Sequence, residues 1–101
     1  MHPLTVDQTQ ELAGTFRLLG DPTRLAILLA VAADARPVGA VAEHLGQSPS
    51  LVSHHLRLLR AARLVKAERQ GKQVFYTLAD EHVRTVIEDM AAHVREPHAE
   101  H

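Results

Sequence analysis

The segment Leu45-Gly46-Gln47-Ser48-Pro49 ends one helix and begins another within a few residues, and few folds can use such a junction. Val38, Val41, Ala42 and Leu45 recur at helical spacing over two turns, and Gly46 supplies the stop. Ser48 is a good N-cap and Pro49 suits the first helical position, where the missing N–H has no intrahelical partner to lose. From about Pro49 to Ala62, Leu51, Val52, Leu56 and Leu59 are predicted to share a buried face. Two helices joined by so tight a turn form a helix-turn-helix, whose second member is the one able to lie in a DNA major groove.

The rest of the chain supplies elements around that pair. Leu12, Phe16 and Leu19 mark a first helix capped by Thr5 or Asp7 and ending near Gly20. Asp21 then caps a second helix with Pro22 in its first turn, and Leu25, Leu28, Leu29 and Ala32 are predicted as its buried face before Asp34 to Pro37 break it. Leu64 to Glu68 and Val74 to Leu78 are rich in β-formers and flank Arg69-Gln70-Gly71-Lys72-Gln73, a hairpin with a basic tip. A last helix from about Asp80 to Arg95 carries Val83, Val86, Ile87, Met90 and Val94 and stops before Pro97. The expected fold is mainly α with a β-hairpin wing, in the order ααααββα. It forms one winged helix-turn-helix domain over 1–101 with flexible ends at about 1–5 and 97–101. At 101 residues the chain is short of the size that buries surface most efficiently, so pairing through the terminal helices would help it.

The net charge of −1 conceals a strong partition. Residues 1–50 sum to −2, residues 51–73 to +5 and residues 74–101 to −4. The middle stretch holds Arg57, Arg60, Arg63, Lys66, Arg69 and Lys72 against Glu68 alone, an electrostatic footprint for phosphate. Candidate DNA contacts are Gln47, Ser48, Ser50, Ser53, His54, Arg57 and Arg60 in the helix-turn-helix, with Arg69 and Lys72 in the hairpin tip. Arg57, Arg60 and Arg63 recur every three residues and can track a phosphate strand.

The acidic last third suits a cation. With no cysteine in the chain, disulfides and thiolate sites are excluded, and a metal must be held by nitrogen and oxygen. Asp80 and His82, then His93 and Glu96, are metal-ligand types, but eleven helical steps part His82 from His93 by roughly 16 Å. One ion cannot bridge that gap. An antiparallel copy of the helix would bring the early pair of one chain to the late pair of the other, giving two equivalent seam sites. Singly, each residue has an ordinary role: Asp80 as a cap, Glu96 as a solvated end, the histidines as surface groups. Zinc(II) suits four nitrogen and oxygen ligands, whereas nickel(II) or cobalt(II) can recruit extra histidines such as His98, His101 or His2. His44 and His55 are read as surface or packing residues.

Leu18 to Leu25, Leu51 to Leu59 and Arg69 to Leu78 resemble the second-helix signature, recognition helix and wing of the ArsR/SmtB family of winged-helix repressors. The resemblance runs from about Phe16 to Glu96 and implies a homodimeric repressor of operator DNA, released by an inducer. It further implies that Asp80, His82, His93 and Glu96 match the intersubunit zinc site on the last helix of the family's zinc sensors. The family's other site, built from cysteines on the third helix, is missing. The expected protein is therefore a metal-responsive repressor whose metal-free dimer binds a palindromic operator and lets go when the seam is loaded. A histidine ligand often hands its second N–H to a neighbour, so His93 is expected to reach toward Arg63 at the recognition-helix end. Two rivals stand beside this reading: a family repressor that senses no metal and, more distantly, a metallohydrolase. No secretory signal pattern occurs at Met1 to Gly14, and Leu25 to Ala33 is too short to span a bilayer, so the expected compartment is the cytoplasm, with no membrane partner and no small organic substrate.

Overall fold

Helix ends fix the architecture. A computed structural model describes residues 2–97, with α1 at Val6–Leu19, α2 at Pro22–Ala33, α3 at Val38–Leu45, α4 at Pro49–Ala61, β1 at Val65–Gln70, β2 at Gln73–Leu78 and α5 at Glu81–Arg95. This is the order ααααββα. Thr5 opens α1 with a reciprocal capping box: its hydroxyl accepts the Gln8 N–H at 3.1 Å while the Gln8 side chain accepts the Thr5 N–H at 2.9 Å. Asp21 Oδ2 accepts the Arg24 N–H at 2.8 Å at the start of α2, and Ser48 Oγ accepts the Leu51 N–H at 3.2 Å at the start of α4. Gly46 closes α3 at φ 64°, a left-handed conformation that glycine adopts without a Cβ penalty.

The core lies where α2, α3 and α4 meet the base of the hairpin. Ile27, Leu28, Val31, Val41, Val52, Leu56 and Leu59 are fully buried, joined by Leu64, Val65 and Leu78. The buried face of α2 is rotated from the expected one: Ile27, Leu28, Ala30 and Val31 are inside, Leu29 is exposed, and Leu25 and Ala32 are half-buried. Almost every residue from Leu25 to Ala33 is apolar, so the pattern has no phase of its own and the neighbouring elements choose it. In α4, Leu51 lies outside the core and His55 takes a buried place on it.

The hairpin is longer than its composition indicated. Strands β1 and β2 pair antiparallel from Val65 opposite Leu78 to Gln70 opposite Gln73, leaving only Gly71 and Lys72 as the turn. Gly71 at φ 64° supplies the glycine-first geometry of a two-residue hairpin loop, so Arg69 and Gln70 remain in the ladder. A bridge between Arg36 and Tyr76, with backbone hydrogen bonds of 3.0 and 2.8 Å, ties the wing to the link between α2 and α3.

Neither α1 nor α5 contributes a fully buried residue. Phe16 is 60% exposed, Met90 54% and Val94 74%. Between the two helices runs a groove of about 220 Å³ lined by Leu12, Phe16, Leu19, Val83, Val86 and Ile87. Apolar faces left in water on two helices are surfaces made for a partner. No helix among the described residues is long and apolar enough to cross a membrane.

Candidate nucleic-acid interface and metal half-sites

Burial of Val52, His55, Leu56 and Leu59 turns the opposite side of α4 outward. Ser50, His54, Arg57 and Arg60 are exposed there, Ser53 is half-buried between them, and Gln47 and Ser48 stand at the turn before the helix. The Ser48 hydroxyl is engaged by its cap, whereas no ion pair engages Arg57 or Arg60 among the described residues. Free cationic heads along the outer face of the second helix of a helix-turn-helix suit a phosphate backbone and base edges. Arg69 and Lys72 extend this charge to the wing; both are exposed, and Arg69 Nε donates to the Gly71 carbonyl at 3.3 Å.

Arg63 departs from the expected row. The helix ends at Ala61, Arg63 turns to φ 60°, and its Nη2 lies 2.9 Å from Glu11 Oε2 on α1. A spacing of three holds only while the helix continues, so the third arginine points to α1 instead of extending a phosphate track. Its partner is Glu11, and no contact joins it to His93 among the described residues.

The four candidate ligands occupy the two ends of α5. Asp80 is the N-cap, its Oδ1 accepting the Val83 N–H at 3.0 Å, and His82 Nδ1 lies 3.8 Å from the same oxygen. The His82 side chain is 99% exposed. His93 is exposed in the last turn, and Glu96 is the C-cap, its N–H donating to the His93 carbonyl at 3.2 Å. Among the described residues no three histidine or carboxylate groups converge. The chain brings Asp80 and His82 together at one end of α5, while His93 and Glu96 at the other end are linked through the backbone alone. His98 and His101 lie outside the described residues, and His2 is exposed. Arg84, between the pairs, fastens α5 to α2 by donating to the Ala32 carbonyl at 3.0 Å.

One polar link was not foreseen. His55 is 8% exposed, and its Nδ1 accepts a hydrogen bond from Arg24 Nε at 3.1 Å, while Arg24 Nη1 donates to the Leu18 carbonyl at 2.9 Å. Burial foremost, then the adjacent guanidinium, pushes the His55 pKa below the ordinary imidazole value; His54 acts the same way and Asp21 opposes. The signal lay in the spacing, since position 55 falls three after Val52 and four before Leu59 on the buried stripe.

A helix-turn-helix with its reading face free, a basic two-stranded wing and exposed terminal helices defines a winged helix-turn-helix DNA-binding domain. The model of the bacterial regulatory proteins of the arsR family matches residues 21–67. A transcriptional repressor SmtB homolog from Synechocystis is 42% identical over 93 residues, covering 92% of this chain and 70% of that protein. A homolog of the cadmium resistance transcriptional regulatory protein CadC from Staphylococcus aureus is 35% identical over 94 residues, covering 92% and 78%. Among solved structures, the homodimeric winged helix-turn-helix DNA-binding domain of the Mycobacterium bovis protein Mb0332 superposes with a TM-score of 0.79 at 27% identity, covering 100% of this chain and 99% of that one. The chain belongs to the ArsR family of transcriptional regulators.

Proposed function

We propose that this protein is a metal-sensing repressor: a homodimer that holds operator DNA when metal-free and releases it when zinc(II) binds two sites at the seam. Each site would be made by Asp80 and His82 of one protomer with His93 and Glu96 of the partner subunit. The observation that carries the reading is the state of α5, which has no fully buried residue, leaves Val86, Met90 and Val94 in water and carries an exposed candidate ligand pair at each end, too far apart to share an ion. Two imidazoles and two carboxylates suit tetrahedral zinc, and filling all four positions leaves no open place for a substrate, which favours binding over catalysis. The cadmium-resistance relative supports a metal inducer as a class; zinc is favoured over nickel or cobalt by the four-ligand set.

Gln47, Ser48, Ser50, Ser53, His54, Arg57 and Arg60 would line the DNA, with Arg69 and Lys72 on the adjacent backbone. Ligands contributed by both protomers tie one subunit to the other, so loading the seam changes the distance and tilt between two reading helices that must meet successive major grooves. By linkage, DNA weakens metal binding by the same factor as metal weakens DNA binding.

The test is His93→Ala with operator binding measured with and without zinc. Retained DNA affinity with a lost zinc response is expected, and an unchanged zinc response would sink the site assignment. A second reading, a family repressor that senses no metal, draws on the capping role of Asp80. Titration of zinc into the free dimer separates the two.

A further inference from the structure

We propose that Arg24 and His55 are positioning residues for DNA recognition, one guanidinium and one imidazole setting the seat of the reading helix α4 against the seam helix α1. The geometry is a three-way junction. Arg24 sits in the first turn of α2, its backbone N–H held by Asp21 Oδ2 at 2.8 Å. Its Nη1 reaches back 2.9 Å to the carbonyl of Leu18, in the last turn of α1 where carbonyls lack intrahelical donors. Its Nε reaches across 31 positions of sequence to His55 Nδ1 in the middle of α4, at 3.1 Å. His55 lies directly behind the DNA-facing side, with His54 preceding it and Arg57 two residues on.

The link works for one charge state of the ring. An Nδ1 that accepts from a guanidinium must be unprotonated, so His55 is neutral with its proton on Nε2. Protonation at Nδ1 would replace a hydrogen bond with a second cation against Arg24 and detach α4 from the end of α1. The charged and titratable groups acting on the ring are Arg24 of α2, Asp21 at the α2 cap and His54 of α4, while the Leu18 carbonyl of α1 meets Arg24. Asp21 favours the charged ring, but it is already engaged by the α2 cap, and burial with Arg24 outweighs it. Exposed His54 would act oppositely on DNA, since its protonation adds a cation at the phosphate face. A loss of DNA affinity on acidification is therefore the mark of His55.

The inference rests on DNA binding through α4 and needs no metal, so metal-free protein is used, with a duplex enriched from a random library by the wild-type dimer. Arg24→Lys, which keeps the charge but cannot serve both acceptors in the same fork, is expected to weaken binding about tenfold while the dimer stays folded at the assay temperature. Wild-type affinity is expected to hold through a pH of about 6.5, the ordinary histidine value, and to fall at the lower pH where the buried ring takes its proton, and His55→Gln, which keeps an acceptor, should remove that fall. A purely structural role would lower the melting temperature and leave the pH profile in place. Unimpaired DNA binding by Arg24→Lys, or the same acid loss in His55→Gln, overturns the proposal. Should His55→Gln fail to fold, long-range ¹H–¹⁵N spectra of the wild type decide: an Nε2–H ring supports the link and an Nδ1–H ring refutes it. Failure of the wild type to enrich any duplex would count against α4 as a DNA reader, while the spectra still judge the link itself.

Discussion

Asp80 has two assigned roles, and two substitutions separate them. As the N-cap it holds the Val83 N–H at 3.0 Å, and as a proposed seam ligand it supplies a carboxylate. Asn caps as well as Asp, whereas Ala removes the bond at a cost of about 1 kcal/mol. For a domain of this size that lowers the melting temperature by roughly 4–8 °C at fixed protomer concentration. In zinc-free buffer at about 0.3 M salt, where the charge–dipole part is screened, Asp80→Asn should melt with the wild type and Asp80→Ala below both. If zinc binds as proposed, a concentration of about a hundred times its Kd would stabilise the wild type by about 2.7 kcal/mol. If loss of the carboxylate weakens the site about a hundredfold, the same zinc adds only about 0.4 kcal/mol to either variant. Calorimetric melting with and without zinc reads both quantities. A zinc shift in Asp80→Asn equal to that of the wild type refutes the ligand role; equal zinc-free melting of Asn and Ala variants refutes the capping argument.

Other outcomes follow from the same geometry. Arg57→Ala should weaken DNA binding and reduce the salt dependence of log K by about one unit for one lost phosphate contact, leaving zinc affinity of the free dimer unchanged; anisotropy at several salt concentrations checks it. Val86→Asp, in the apolar groove between α1 and α5, should shift sedimentation toward monomer while far-ultraviolet dichroism stays helical. Gly46→Ala should cost about 1 kcal/mol in urea unfolding, because φ is 64° there even though a Cβ would meet nothing within 4 Å. The lowered His55 pKa also sets a stability slope. The unfolded chain binds its proton first, so the His55 contribution is fully present above about 6.5 and is lost as pH falls toward the lower folded value. Urea unfolding across that range, compared with His55→Gln, measures it.

The sequence specified most strongly what local chemistry controls. Asp21-Pro22, Gly46 and Ser48-Pro49 punctuate the helices where their caps require, and the order of elements follows from them. The buried face of α2 was illegible because an almost wholly apolar helix has no periodicity to read, and tertiary contacts with α4 and the hairpin set its rotation. Arg63 was misplaced because a spacing argument assumed helix beyond Ala61, where the chain turns left-handed. The outward face of α4 followed from its amphipathic pattern, whereas the Arg24–His55 link joins residues 31 apart and depends on how α1, α2 and α4 come together. The two candidate ligand pairs on α5 were legible as a pattern; that Val83 and Ile87 pack on the core while Val86, Met90 and Val94 stay in water belongs to the fold.

That last property bears on how such a protein diversifies. The proposed ligand pairs occupy exposed positions at the two ends of a helix that packs on the core through Val83 and Ile87, and exposed positions exchange residues within about 0.5 kcal/mol. Asp80 alone is constrained by a cap, and there Asn is an equal substitute. An ancestral chain can therefore exchange the inducer it answers to, or cease to answer any, by drifting at a few surface positions, while the helices that grip DNA and the residues that fold the protomer remain untouched.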